Sequence, residues 1–436
     1  MKAIHLFSVP VLCCLVLFAC QREPGKVSQQ PAAAQGAGDQ QPGKQAAGSG
    51  KVVDAEVAPF QRELLKLAFE AASKFPKFPH SKNRGRAQEV VLVGCFELGL
   101  PLLALRFAPD AEGYRRGMAY ADFAYYSIQQ GVTKDVRSYL ELATKVADEE
   151  AAVPNMQQWR VDKIRLKVAR ALAALGELDE ASKVADKIGA SSRGAVDSNW
   201  AVTVSSRVAG MTLEQAQRDL RSITDTFSSQ SLGEQYSSLM VLSGLHGRFF
   251  ADEELRKELE ERLLLRFFKL PANLRLDAIA PLVGHYLAEE DVDGARDIIV
   301  KMSEIVSEAR WRLEDKLPEL ARIAELHIDT GDTDRARQEL EQALAMFHEG
   351  RDDIVGIYRC EALRPIAIGF HQLGDAEQAD GLLALAIEEG MQTPNSRPRC
   401  DDLVETCVAM ARRRVEPSAE LMARLREICD GLNAPW

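Results

Sequence analysis

Three short stretches decide the fold: Gly176–Ala181 (GELDEA), Gly331–Ala336 (GDTDRA) and Gly374–Ala379 (GDAEQA). Each lies between two segments whose apolar residues recur with helical spacing. A glycine between two amphipathic helices can end the first one, because it accepts a left-handed backbone at low steric cost. The acid or polar residue that follows can cap or charge the start of the second. Aligned on the final alanine, the register recurs at Ala104, Val136, Ala181, Ala216, Leu255, Ala295, Ala336, Ala379 and Ala419. The later steps are close to forty residues. Twelve positions before the marks the residue is small (Ala124, Ala169, Ser243, Ala324, Ala367, Cys407), and sixteen before it is large and apolar (Leu239, Ile279, Leu320, Leu363, Leu403). Small residues allow two helices to cross closely, and the large ones fill the space between neighbouring units.

Composition agrees. Of 436 residues 46% are apolar and only 6% aromatic, and the abundance of Ala, Leu, Glu and Arg favours helix throughout. A body of this length is too large for one ordinary core, yet no linker divides it, as expected of stacked units. The expected fold is all-α: a superhelical solenoid of about nine antiparallel helix hairpins over residues 53–436.

These units resemble the tetratricopeptide repeat. The Gly and Ala of the three stretches match that family's second-helix start; Ala169, Ala324 and Ala367 match its small first-helix position, and Ala343 and Ala386 its late one. The step is nearer forty than the family's 34 residues, hence tetratricopeptide-like. The resemblance runs from about Arg84 to the C-terminus, with a helix around Glu56–Lys74 as an N-terminal cap. It implies a concave face that binds segments of other proteins.

The N-terminus carries a second resemblance. Met1-Lys2 is followed by an apolar run from Ile4 to Phe18 and by Leu17-Phe18-Ala19-Cys20. Residues 1–19 resemble a bacterial lipoprotein signal peptide, which implies that Cys20 becomes the acylated N-terminus. The run is shorter than the roughly 20 residues that cross a bilayer, and His5 and Pro10 interrupt it. Residues 20–52 are rich in Gln, Gly, Ala, Pro and Ser without apolar periodicity and read as a flexible linker, with a root-mean-square span on the order of 30 Å. The chain is thus expected to be exported and lipid-anchored to a bacterial membrane, the outer favoured over the inner.

Signals for chemistry are sparse. His285, His327, His348 and His371 lack a second ligand at metal spacing, and neither a GxxxxGK phosphate loop nor a Gly-x-Ser-x-Gly motif is present. No cofactor, metal or catalytic residue is expected. Cys95, Cys360, Cys400, Cys407 and Cys429 are an odd set; they read as small buried apolar residues, with any disulfide left open. A net charge of −11 argues against nucleic acid as a partner. Six residues twenty before the marks are basic: Arg84, Arg116, Arg275, Lys316, Arg359 and Arg399. They could form a cationic stripe for an anionic partner or cap the preceding helices; the recurrence at helix ends favours capping. Asp277, Glu361 and Asp401, two residues further on in three units, suggest ion pairs. The reading is a membrane-tethered scaffold for other envelope proteins. The alternative is an α/α-toroid carbohydrate-active enzyme with paired acids, for which four Trp and eight Tyr are few. Cys20→Ser should leave the protein unprocessed or free of the membrane in a detergent-phase partition; unchanged partitioning would remove the case for acylation.

Overall fold

A computed structural model describes residues 50–189, 208, 211–230, 232–266 and 270–436. Cys20, the expected signal peptide and nearly all of the expected linker lie outside the described residues.

The described residues form helices and no strand. They are α1 (Pro59–Lys74), α2 (Lys77–Glu97), α3 (Pro101–Phe107), α4 (Tyr114–Gln129), α5 (Val136–Ala151), α6 (Gln158–Ala174) and α7 (Leu178–Ala185), then α8 (Leu213–Thr226), α9 (Leu232–Arg248), α10 (Glu253–Glu261), α11 (Ala272–Ala288) and α12 (Val292–Glu308), and finally α13 (Leu313–Asp329), α14 (Thr333–Gly350), α15 (Arg359–Gln372), α16 (Ala376–Met391), α17 (Ser396–Arg413) and α18 (Ala419–Gly431). From α2 to α7 and from α9 to α18 they pair as consecutive hairpins.

The turn register read from three glycines holds well beyond them. Five residues before the mark the backbone is left-handed at Gly99, Gly131, Gly176, Gly331 and Gly374, and also at Glu290 (φ 61°) and Arg414 (φ 56°). The acid after the turn acts as expected: Asp291 accepts from the Gly294 amide at 2.8 Å, Asp332 from Arg335 at 3.3 Å, and Asp252 from Leu255 at 3.0 Å. All six small residues at the crossings are buried, as are Ala295, Ala336, Ala343, Ala379 and Ala386. Ala419 is the exception, being exposed. After Arg414 the chain spends three more residues, Val415 to Pro417, before Ser418 caps α18 through the Leu421 amide at 3.1 Å. The helix therefore starts late, and Leu421 takes the buried place.

Three cores result. Tyr114 to Ala181 build one, Val208 to Ile323 a second, and the third joins the two ends of the chain, Leu64 to Ala119 with Leu317 to Leu432. Helix α1 is thus no end cap. It packs on α2 and also along α17. Gln61 donates to the Ala411 carbonyl at 2.6 Å, Cys400 to Ala71 at 3.3 Å, and Lys74 to Cys429 at 2.8 Å. The Phe75 ring lies 4.9 Å from that of Trp436. The reason is in the helix itself: Leu64, Leu65, Leu67, Ala68, Phe69, Ala71 and Ala72 are all buried, an apolar arc too wide for one partner, whereas a capping helix keeps a polar outer face. Burying each Leu or Phe contributes about 1.5–3 kcal/mol.

Two substitutions test the register with opposite signs. Glu290→Gly relieves a left-handed non-glycine residue, which costs roughly 1–2 kcal/mol, and should raise the unfolding free energy by a fraction of that. Ala336→Leu overpacks a crossing and should lower it by about 1–3 kcal/mol. Equal effects in thermal or denaturant melts would contradict the turn assignment.

Candidate functional site

First helices of neighbouring hairpins pack side by side (α4 on α6, α9 on α11, α13 on α15), while the second helices meet one another far less. The first helices therefore lie inside the bend and form an inner wall. Charged side chains tie this wall together. Lys167 on α6 pairs with Asp122 on α4 at 2.7 Å, Arg115 on α4 with Glu89 on α2 at 2.5 Å, and Arg322 on α13 with Asp277 on α11 at 2.8 Å. Arg413 on α17 reaches past α15 to Glu325 on α13 at 2.6 Å, so the bend is tight there.

The sector made by α13, α15 and α17 mixes acids with arginines, and several of its carboxylates are dehydrated. Burial pushes Glu319 up to about 7, against the pull of Arg322 and with a push from Asp277. Burial likewise lifts Asp402 to about 7 against Arg364, and Asp401 to about 6 against Arg86 and Arg397. Glu325, Asp329 and Glu361 are raised for the same reason. Asp402 is 8% exposed, and its Oδ2 has no hydrogen-bond partner.

The sector made by α4 and α6 is cationic and aromatic. The Arg170 guanidinium stacks 3.4 Å from the centre of the Tyr125 ring. Lys163 Nζ lies 5.2 Å from Trp159, and Arg160 sits 5.6 Å from Trp159 and 5.9 Å from Tyr114. Cations over ring faces are held by the ring quadrupole. Burial pushes the Lys163 ammonium down.

The basic column divides. Arg84 donates to the Phe75 carbonyl at 2.8 Å, Arg275 to Leu264 at 3.4 Å, Arg359 to Ile354 at 3.1 Å and Arg399 to Thr393 at 2.5 Å. These four satisfy carbonyls before their own helix, as capping requires. Arg116 instead pairs with Glu149 at 2.5 Å, and Lys316 is half-buried. Of the acids two residues on, Asp277 pairs with Arg322, and Asp401 lies 3.8 Å from Arg86. The five cysteines are buried and free, and burial raises their thiols.

One grouping escapes a reading of single histidines. His285 is not alone: its Nδ1 lies 3.1 Å from Nδ1 of fully buried His246, whose Nε2 is 3.0 Å from Glu260. Tyr286 donates to the same carboxylate at 2.5 Å. The two histidines are 39 residues apart, one repeat, so the register could have paired them. Burial, helped by His246, takes His285 down to about 4. Among the described residues, no helix is long and apolar enough to cross a membrane.

These buried carboxylates set a pH dependence. In the folded protein Glu319 and Asp402 hold protons up to about 7, whereas unfolded carboxyls release them near 4. Their favourable contribution is complete below the unfolded values and is lost as pH rises through the folded ones. The melting midpoint should therefore fall from pH 5 to pH 8, and Glu319→Gln should flatten that slope and raise the midpoint at pH 8. A midpoint that climbs over this range would contradict the assignment.

No protein-family model matches the chain, and neither does any curated protein. Among solved structures, one of a "Circular tandem repeat protein with novel repeat topology and enhanced subunit contact surfaces" is similar over 85% of this chain and 94% of its own, at 15% identity and a TM-score of 0.20. So low a score adds nothing to the helices themselves, which establish the all-α hairpin architecture.

Proposed function

We propose that this protein is an exported, lipid-anchored scaffold: Cys20 carries the acyl chains, and the inner wall of the repeat body holds segments of other envelope proteins. The observation that carries the reading is that wall. Adjacent first helices present cations over aromatic rings and carboxylates kept from water. The anchor would raise the local concentration of the wall near its partners. Support for tethering comes from the point where the linker joins the body. Val53 exchanges two hydrogen bonds with the Gln130 side chain, at 3.2 and 3.0 Å, the Ala55 amide donates to Gly99 at 2.7 Å, and Asp54 accepts from the Leu102 amide at 2.7 Å. Pull on the linker would thus reach a fixed edge of the body. In this account no residue is catalytic, no cofactor is bound, and the partners are proteins rather than nucleic acid.

One observation favours the alternative of a carbohydrate-active enzyme: the ends of the array meet, and Glu319 and Asp402 keep their protons near neutral pH, as a general acid must. The rings gathered on the inner wall, Tyr114, Tyr125 and Trp159, lie on α4 and α6 and not on the helices that carry those acids. The scaffold is therefore the stronger reading. A photo-crosslinker placed at Leu166 on the inner wall should capture a defined set of envelope proteins in cells, and one placed at Glu341 on the outer helix α14 should not. Capture at neither position, together with glycan cleavage lost in Asp402→Asn, would reverse the choice.

A further inference from the structure

Along α6, Arg160, Lys163, Lys167 and Arg170 follow one another at steps of three, four and three residues, so they form one stripe about 15 Å long. Asp122 neutralises Lys167 through both its oxygens at 2.7 Å. Arg160, Lys163 and Arg170 have no carboxylate at ion-pair distance among the described residues. Glu89 acts on Lys163 but is already engaged by Arg115 at 2.5 Å, and Glu150 feels Arg160 without pairing with it. Both arginines have a buried Nε without a hydrogen-bond partner. A half-buried cation without an anion is costly, and an arriving carboxylate would recover that cost.

We propose that this stripe is the docking line for an extended acidic segment of a partner protein, whose side-chain carboxylates meet Arg160, Lys163 and Arg170. The proposal rests on the scaffold reading and names the partner's chemistry. In an extended chain side chains on one side recur every two residues, about 6.6–6.8 Å, so three alternate acids span nearly the length of the stripe. Stacking on Tyr125, Trp159 and Tyr114 orients the cations beforehand and leaves their N–H edges to donate. The same stacking covers ring faces that a sugar would need. Glu89, Asp122 and Glu150 interleave with the cations, so a continuous polyanion such as polyphosphate would meet like charge. A peptide can place a neutral residue there.

The test uses the full-length protein in detergent micelles and a short fluorescent peptide of alternating glutamate and alanine, acetylated and amidated so that only side-chain carboxylates are presented. Fluorescence anisotropy should show binding that weakens with salt, absent for the glutamine–alanine peptide. Lys163→Gln with Arg170→Gln should weaken it about tenfold or more, and Lys257→Gln on exposed α10 should not. If the double variant does not fold, Lys163→Gln alone is read. Equal binding by the folded variant and the parent, or preference for polyphosphate over the peptide, overturns the proposal. Crosslinking from Leu166 separates the two levels. Capture that persists without peptide binding retires the acidic partner and keeps the scaffold; loss of capture retires both.

Discussion

The structure depends on one constraint: α1 carries more apolar surface than a single neighbour can cover. Leu64, Leu65, Ala68, Ala71 and Ala72 are wholly removed from solvent, and this requires α2 on one side and α17 on the other. The first and last hairpins then share a core, and the inner hydrogen bond from Gln61 to Ala411 fixes how they sit. Glu63 and Arg426 add an ion pair at 3.2 Å across the same seam, but both side chains are more than half exposed, so its contribution is small. An array whose ends must meet is bent, and a bent array has an inside.

The inner wall follows from that bend. First helices crowd together there and keep their polar side chains in a recess with little water. Carboxylates on α13 and α17 respond by holding protons, and Lys163 by easing its hold on one. Arginines, which cannot give up charge, lie over rings instead. Carboxylates that hold their protons lie on α13 and α17, and cations over rings lie on α6, which makes the wall suited to recognition along a line rather than to concerted chemistry at a point.

Much of this was legible in the residues, and the exceptions have physical causes. Turn glycines and crossing alanines report packing inside one hairpin, a short-range property that repeats. Their register therefore carried to Glu290 and Arg414, where no glycine marks the turn. It failed at Ala419 because Pro417 and Ser418 delay the helix start. Curvature is another matter: it sums small rotations over many units, and no single repeat records it. Helix α1 did hold the clue, since its apolar residues cover too wide an arc for the cap expected around Glu56–Lys74. The His246–His285 contact and the split of the wall into sectors needed the same step, reading residues one repeat apart as neighbours.

The central claim is that the two ends of the repeat array form one core, and it can be measured directly. Glu63→Cys and Arg426→Cys, treated with a short bis-maleimide in the folded protein, should crosslink within one chain, linking a peptide that contains position 63 to one that contains position 426. The pair Glu63→Cys with Glu341→Cys should not. Failure of the first pair to link while both thiols react singly would contradict the seam, and with it the bend and the inner wall.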